Sequence, residues 1–217
     1  MQIKSVAVIG ASGLVGGELL SFLMSDHRFE RVMVLTRRSL GIVHPKIQEC
    51  VIDFHDKEAV RQSLNGTEII FCTIGTTMKK VKGDLKLYRQ IDFDIPLQAA
   101  LIGKEIGIRQ FLLVTAFGAD SMSRNFYLRL KGEVEDAIHS LNLPSFSVFH
   151  PSVLLGNRKE FRPAERFAVT LLPFIEWLFP FNYRSIKAST VAKAMICAAA
   201  DKKTGFHIYS RKEMFVF

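Results

Sequence analysis

Met1 to Gly17 reads MQIKSVAVIGASGLVGG, and this stretch decides the fold. The run Val6-Ala7-Val8-Ile9 is apolar and largely β-branched, the composition of a buried strand. It ends in a glycine-spaced turn, Gly10-Ala-Ser-Gly13-Leu-Val-Gly16, and a helix-forming segment from Glu18 to Met24 follows. Strand, glycine turn and helix in that order make the phosphate-binding corner of a dinucleotide fold. Gly10 permits the sharp turn, Gly13 lets backbone N–H groups approach a pyrophosphate, and Gly16 lets the helix pack closely on the strand. The N–H groups around Ser12, Gly13, Leu14, Val15 and Gly16 are the candidate phosphate donors, assisted by the positive end of the helix.

Outward from this corner the same alternation repeats. Arg31 to Leu35 reads as a second strand and Ile47 to Ile52 as a third, with a helix from near Lys57 to Leu64. Glu68 to Ile74 is a fourth strand, Met78 to Leu87 a polar, lysine-rich loop, and Tyr88 to Ile106 a helix in which Pro96 marks a kink or a restart. Gln110 to Thr115 and Phe146 to Phe149 are the fifth and sixth strands, Val191 to Ala200 is a helix that Ser189 could cap, and Phe206 to Tyr209 closes the chain. Strands alternating with helices predict an α/β, Rossmann-like doubly wound fold. Its sheet is mostly parallel with helices on both faces. Residues 1–217 read as a single NAD(P)-binding domain, with 157–187 as a small C-terminal cap on the substrate side. The apolar stretch Ala164 to Phe181 belongs to that cap.

The bulk properties narrow the function. The 217 residues are 48% hydrophobic and 23% charged, ordinary for a soluble globule. A formal net charge of +8 raises the question of nucleic acid. The basic residues are dispersed, however, and form no stripe interleaved with aromatics, so no direct nucleic-acid binding is expected. A basic surface serves an anionic cofactor equally well. Three cysteines without a CxxC pair indicate a reducing compartment. No signal peptide or membrane-spanning run is read, which predicts a cytoplasmic protein. The six histidines lack metal-ligand spacing, so no metal is expected.

The strand ends carry the chemistry. An NAD-preferring enzyme often ends its second strand in Asp or Glu, which accept hydrogen bonds from the adenosine ribose. Here Thr36, Arg37 and Arg38 stand instead, and a guanidinium pairs bidentately with a 2′-phosphate. The cofactor is therefore read as NADP(H) rather than NAD(H). Ile74, Gly75 and Thr76 end the fourth strand, where the backbone would pass close to the ribose and diphosphate. Tyr127 and Lys131 are four apart and so share one helix face. An ammonium there would lower the phenol's pKa and could hydrogen-bond the nicotinamide ribose. Pro151 follows the sixth strand, where a loop edging the nicotinamide belongs. His150 reads as structural.

The whole chain resembles the atypical short-chain dehydrogenase/reductases, specifically the Tat-interacting oxidoreductase-like branch and its bacterial relatives. The segments carrying the resemblance are GASGLVG (10–16), FCTIGTT (71–77), IDFDIP (91–96), GAD (118–120), NFYLRLKGEVE (125–135) and FSVFHPSVLLGNRKEFRP (146–163). The resemblance implies bound NADP(H), with Tyr127 and Lys131 as the YxxxK pair and Pro151 near the nicotinamide. It also implies Asp53 and the Phe54 N–H near the adenine. Where the superfamily places a catalytic Ser, this chain has Thr115, whose hydroxyl can donate the same hydrogen bond from a more restricted rotamer. His150 stands where many relatives carry Arg.

The expected activity is oxidoreduction of a small carbonyl or alcohol by NADP(H). The alternative is an NADPH-binding regulatory or sensor protein with little or no turnover, which the Thr115 substitution favours. A sugar-nucleotide epimerase is a weaker reading, because the region after residue 157 is short for a UDP-sugar domain. A homodimer or a protein partner is compatible with the superfamily, and no sequence element identifies the interface.

Overall fold

A computed structural model describes residues 2–156, 184–201 and 203–216. The elements run β1 (Ile3–Ile9), α1 (Leu14–Ser25), β2 (Phe29–Thr36), β3 (Ile47–Val51), α2 (Lys57–Leu64) and β4 (Ile69–Cys72). Then come α3 (Leu85–Arg89), a single π-helical turn (Gln90–Asp94), α4 (Ile95–Glu105), β5 (Gln110–Val114), α5 (Phe126–His139) and β6 (Ser145–Phe149). The described chain ends with the short strands β7 (Leu154–Leu155) and β8 (Ile186–Lys187), α6 (Ala188–Ala200), β9 (Gly205–Tyr209) and α7 (Arg211–Met214).

Seven strands form one sheet in the order β3-β2-β1-β4-β5-β6-β9, and every pairing in it is parallel. Side chains alternate between the two sheet faces, and the strands are apolar at both sets of positions. On one face Val6, Val8, Val32, Val34, Phe71 and Leu112 pack with α1 and α6. On the other, Ala7, Ile9, Leu35, Ile70, Leu113 and Val148 pack with α2, α4 and α5. Burial of each of the larger of these side chains is worth about 1.5–3 kcal/mol, so both faces are anchored wherever helices cover them. This is the doubly wound architecture that the alternation of strands and helices predicted.

Several local expectations change. The first helix begins at Leu14, directly after the glycine turn, rather than at Glu18. Asp56 caps α2, accepting from the Glu58 and Ala59 N–H groups. The lysine-rich loop stops early, because Asp84 caps α3 at Leu85. Helix α6 starts at Ala188 with Lys187 as its cap residue, which places Ser189 inside the helix. Pro96 lies in the first turn of α4, directly after the π turn, where the hydrogen-bond register of the helix changes. Of the expected cap at 157–187, residues 157–183 lie outside the described residues, as do Asn157 to Pro163 of the last resembling segment.

Candidate functional site

Strand β1 is flanked by β2 on one side and β4 on the other, and the chain winds outward from it in both directions. The carboxyl ends of β1 and β4 therefore border the crevice where open parallel sheets bind ligands. The loops after these two strands are in direct contact. Gly10 has φ +92°, and a Cβ there would lie 2.6 Å from the Ile74 nitrogen. A Cβ at Gly16 would lie 2.2 Å from the Gly10 carbonyl oxygen and 2.7 Å from Thr73 Oγ1. Only bare backbone allows this approach. Thr73, which sequence reasoning passed over, locks the corner further by donating both its N–H (2.8 Å) and its hydroxyl (3.1 Å) to the Ile9 carbonyl.

The corner suits an anion. The first intrahelical bond of α1 runs from the Gly17 N–H to the Gly13 carbonyl, so the N–H groups of Leu14, Val15 and Gly16 have no partner within the helix. No side chain caps this end, and no acid lies in its first turn. Ser12 and Gly13 are exposed beside it. A cradle that a Cβ would fill, bordered by free N–H groups, fits a dinucleotide pyrophosphate.

At the end of β2, the Thr36 hydroxyl donates to the Arg38 carbonyl at 2.8 Å and tightens the turn. Beyond it, Glu49 on β3 accepts from the Ser39 hydroxyl at 2.7 Å and from the Leu40 N–H. The Leu40 N–H, followed by the Ser39 hydroxyl, holds the Glu49 carboxyl below the usual carboxylate range. Arg37 and Arg38 are thus presented to solvent on a turn fixed at both ends. Asp53 is exposed and accepts from the His55 N–H at 2.9 Å, while Phe54 is buried and its carbonyl accepts from Gln98.

The catalytic candidates gather at the neighbouring strand ends. Asn125 caps α5 through the Tyr127 and Leu128 N–H groups, which fixes where the helix starts. The loop after β5 lies against this helix because residue 132 is glycine. A Cβ there would meet the Ser121 nitrogen at 2.1 Å. One turn on from Tyr127, Lys131 is only 5% exposed, and its Nζ lies 2.8 Å from Asp92 Oδ2 on the π turn. The same Nζ is 3.9 Å from where a Gly75 Cβ would be, so the loop after β4 and α5 meet at the ammonium. Burial works against this charge, yet Asp92, with Tyr127 and Cys72, holds the Lys131 pKa above its ordinary value.

The phenol differs from the expectation. Tyr127 is 40% exposed, and its pKa is raised rather than lowered. Burial of the phenol is the largest cause; Lys131 pulls the value down, and Asp92 pushes it back up. Thr115 is buried, its N–H bonded to the Phe149 carbonyl at 3.0 Å, and its hydroxyl has no partner among the described residues. Pro151 is buried, and its carbonyl accepts from the Phe117 N–H at 2.9 Å, which ties the loop after β6 to the loop after β5. His150 Nε2 lies 2.9 Å from Glu135 Oε1 on α5. Among the described residues no three His, Cys, Asp or Glu side chains form a metal-binding group, and no helix is long and apolar enough to cross a membrane.

Comparison with known proteins agrees with this geometry. A family model described as NAD(P)H-binding matches residues 10–146. Protein HTATIP2 of Rattus norvegicus is 33% identical over 199 residues, covering 90% of this chain and 81% of the relative. Protein FMP52, mitochondrial, of Debaryomyces hansenii is 34% identical over 158 residues, covering 72% and 69%. Among solved structures, a UDP-N-acetylglucosamine 4-epimerase from Methanobrevibacter ruminantium superposes with a TM-score of 0.75 at 16% identity, covering 97% of this chain and 77% of that one. MoeE5 in complex with UDP-glucose and NAD gives a TM-score of 0.73 at 14% identity, covering 97% and 79%. Identities this low speak to the fold alone. With the glycine corner, the parallel sheet and two relatives in agreement, the chain belongs to the NAD(P)H-binding Rossmann family, in its atypical short-chain dehydrogenase/reductase branch.

Proposed function

We propose that the protein is an NADP(H)-dependent oxidoreductase acting on a small carbonyl or alcohol. The observation that carries this reading is the meeting of Lys131 with Gly75, on a loop whose other end touches Gly10. The phosphate corner and the Tyr-Lys helix are thereby parts of one crevice. When bound, NADP(H) supplies or accepts the hydride. The N–H groups of Leu14, Val15 and Gly16 would hold its pyrophosphate, Arg37 and Arg38 its 2′-phosphate, and Lys131 its nicotinamide ribose. Asp53 and Phe54 would lie toward the adenine, Ile74 to Thr76 along the ribose and diphosphate, and Pro151 by the nicotinamide. Tyr127, with its raised pKa, holds the proton that a developing alkoxide needs. Thr115 would orient the carbonyl, and its unpartnered hydroxyl is the kind of buried group that a ligand completes.

Titration of cofactor-stripped protein with NADPH and NADH, read by nucleotide fluorescence and thermal stability, tests the binding half. Selective tightening with NADPH is expected, and no binding of either nucleotide sinks the reading. A carbonyl screen then tests the chemistry, with turnover falling at least about a hundredfold in Tyr127→Phe.

A second reading, an NADPH-binding regulatory protein with little turnover, is favoured by one observation: the Lys131 charge is engaged by Asp92 rather than left to the phenol. Tight NADPH binding with no substrate turned over, and the same partner binding in Tyr127→Phe, would select it. Cytoplasmic residence and a homodimer or protein partner are part of the proposal. The FMP52 relative's name, in contrast, carries the word mitochondrial.

A further inference from the structure

Asp92 is 1% exposed, and its two carboxylate oxygens serve different elements. Oδ2 lies 2.8 Å from the Lys131 ammonium on α5. Oδ1 accepts the Thr76 N–H at 2.7 Å, in the loop after β4. The carbonyl of the same Thr76 accepts from the hydroxyl of Tyr88 on α3 at 3.3 Å, and Tyr88 is itself buried. Both backbone groups of Thr76 are thus gripped by side chains about one helical turn apart. The π turn is what makes this geometry available, since it re-aims residue 92 relative to a continuous α-helix.

A buried ion pair is a weak device for stability, because desolvation offsets much of its Coulomb attraction and apolar residues of similar size often do better. Its retention here calls for a use. We propose, building on the oxidoreductase reading above, that Asp92 is the positioning residue of this site. One of its oxygens sets the Lys131 ammonium and the other sets the Gly75–Thr76 backbone, so that the catalytic helix and the nucleotide loop move as one unit. The groups that face this ammonium are Asp92 from the π turn, Tyr127 from its own helix and Cys72 from β4. Tyr88 on α3 feels Asp92 and Tyr127 in turn. Removing the Asp92 charge leaves the Tyr127 phenolate as the anion best placed to answer the ammonium.

Two variants separate the two duties of the carboxylate. Asp92→Asn keeps an acceptor for Thr76 and loses the charge; Asp92→Ala loses both. In cofactor-free protein, the tyrosinate absorbance of each is titrated against the same protein carrying Tyr127→Phe, which isolates the Tyr127 transition. That transition is expected about one pH unit lower in both Asp92 variants. NADPH affinity, by fluorescence, is expected within about threefold of the parent in Asp92→Asn and about tenfold weaker in Asp92→Ala. An unmoved Tyr127 transition, or equal affinity in the two variants, overturns the proposal. If Asp92→Ala does not fold, the titration of Asp92→Asn decides alone. Failure of the parent protein to bind NADPH would instead overturn the functional reading, and the Tyr127 titration would still judge Asp92.

Discussion

Glu135 Oε1 on α5 lies 2.9 Å from His150 Nε2 at the end of β6, and both side chains are largely buried. Glu135 is one turn beyond Lys131, and His150 directly precedes Pro151, so this contact fixes α5 against the loop after β6. Glu135→Ala leaves the imidazole without its partner and is expected to cost about 1–3 kcal/mol. Glu135→Gln, which keeps a hydrogen-bonding head, should cost less. Urea unfolding of the three proteins checks the order, and equal stability of the alanine variant and the parent would remove the contact from the account.

The glycine corner gives a prediction with an internal control. A methyl at position 16 would sit 2.2 Å from the Gly10 oxygen, whereas one at position 17 meets nothing nearer than the Ala11 oxygen at 3.7 Å. Gly16→Ala is expected to destabilise the fold by about 1–3 kcal/mol and to abolish nucleotide binding. Gly17→Ala should hold or raise Tm, since alanine is the better helix former. Thermal melts with and without NADPH distinguish the two.

Arg37 and Arg38 stand exposed on a turn held by Thr36 and Glu49. If they receive the 2′-phosphate, replacing both with alanine weakens NADPH binding by about tenfold or more and leaves NADH nearly unchanged. Parallel losses for both nucleotides would move the 2′-phosphate elsewhere.

These predictions rest unequally on what the sequence displays. The alternation of strands and helices and the spacing of Gly10, Gly13 and Gly16 are local patterns, so the sheet, the corner and the helix bearing Tyr127 and Lys131 were legible. Asp92 was visible only within the resembling segment IDFDIP (91–96), with nothing to show what it pairs with. Its partner is 39 positions away, and a π turn, which no periodicity announces, aims it inward. The net effect on Tyr127 was misread because spacing reveals the ammonium one turn away but not the burial of the phenol, the largest influence, nor the carboxylate that adds to it. Ser189 looked like a helix cap on residue type, yet β8 delivers the chain one turn earlier and the helix starts at Ala188. Thr73 and Glu49 act through tertiary neighbours and carry no motif.

Cys72 lies fully buried in β4, and burial, its largest influence, pushes the thiol up to about 12 from an ordinary 9.0. The unfolded chain therefore loses this proton near pH 9 while the folded chain keeps it. Its contribution to stability is intact below that pH and drains away as pH rises toward 12. The fall in Tm from pH 8.5 to 10.5 (an interval of about two units) should be shallower in Cys72→Ala than in the parent, even though the variant starts lower for want of the sulfur. Identical slopes would show that other groups govern the alkaline side.

The short parallel pairing of Leu154 with Ile186, reinforced by the Ile186 N–H bonded to the Val153 carbonyl at 2.9 Å, clasps together two stretches far apart in sequence. The clasp thus fastens the chain that follows Pro151 to the start of α6 through backbone bonds, whichever side chains stand at these positions.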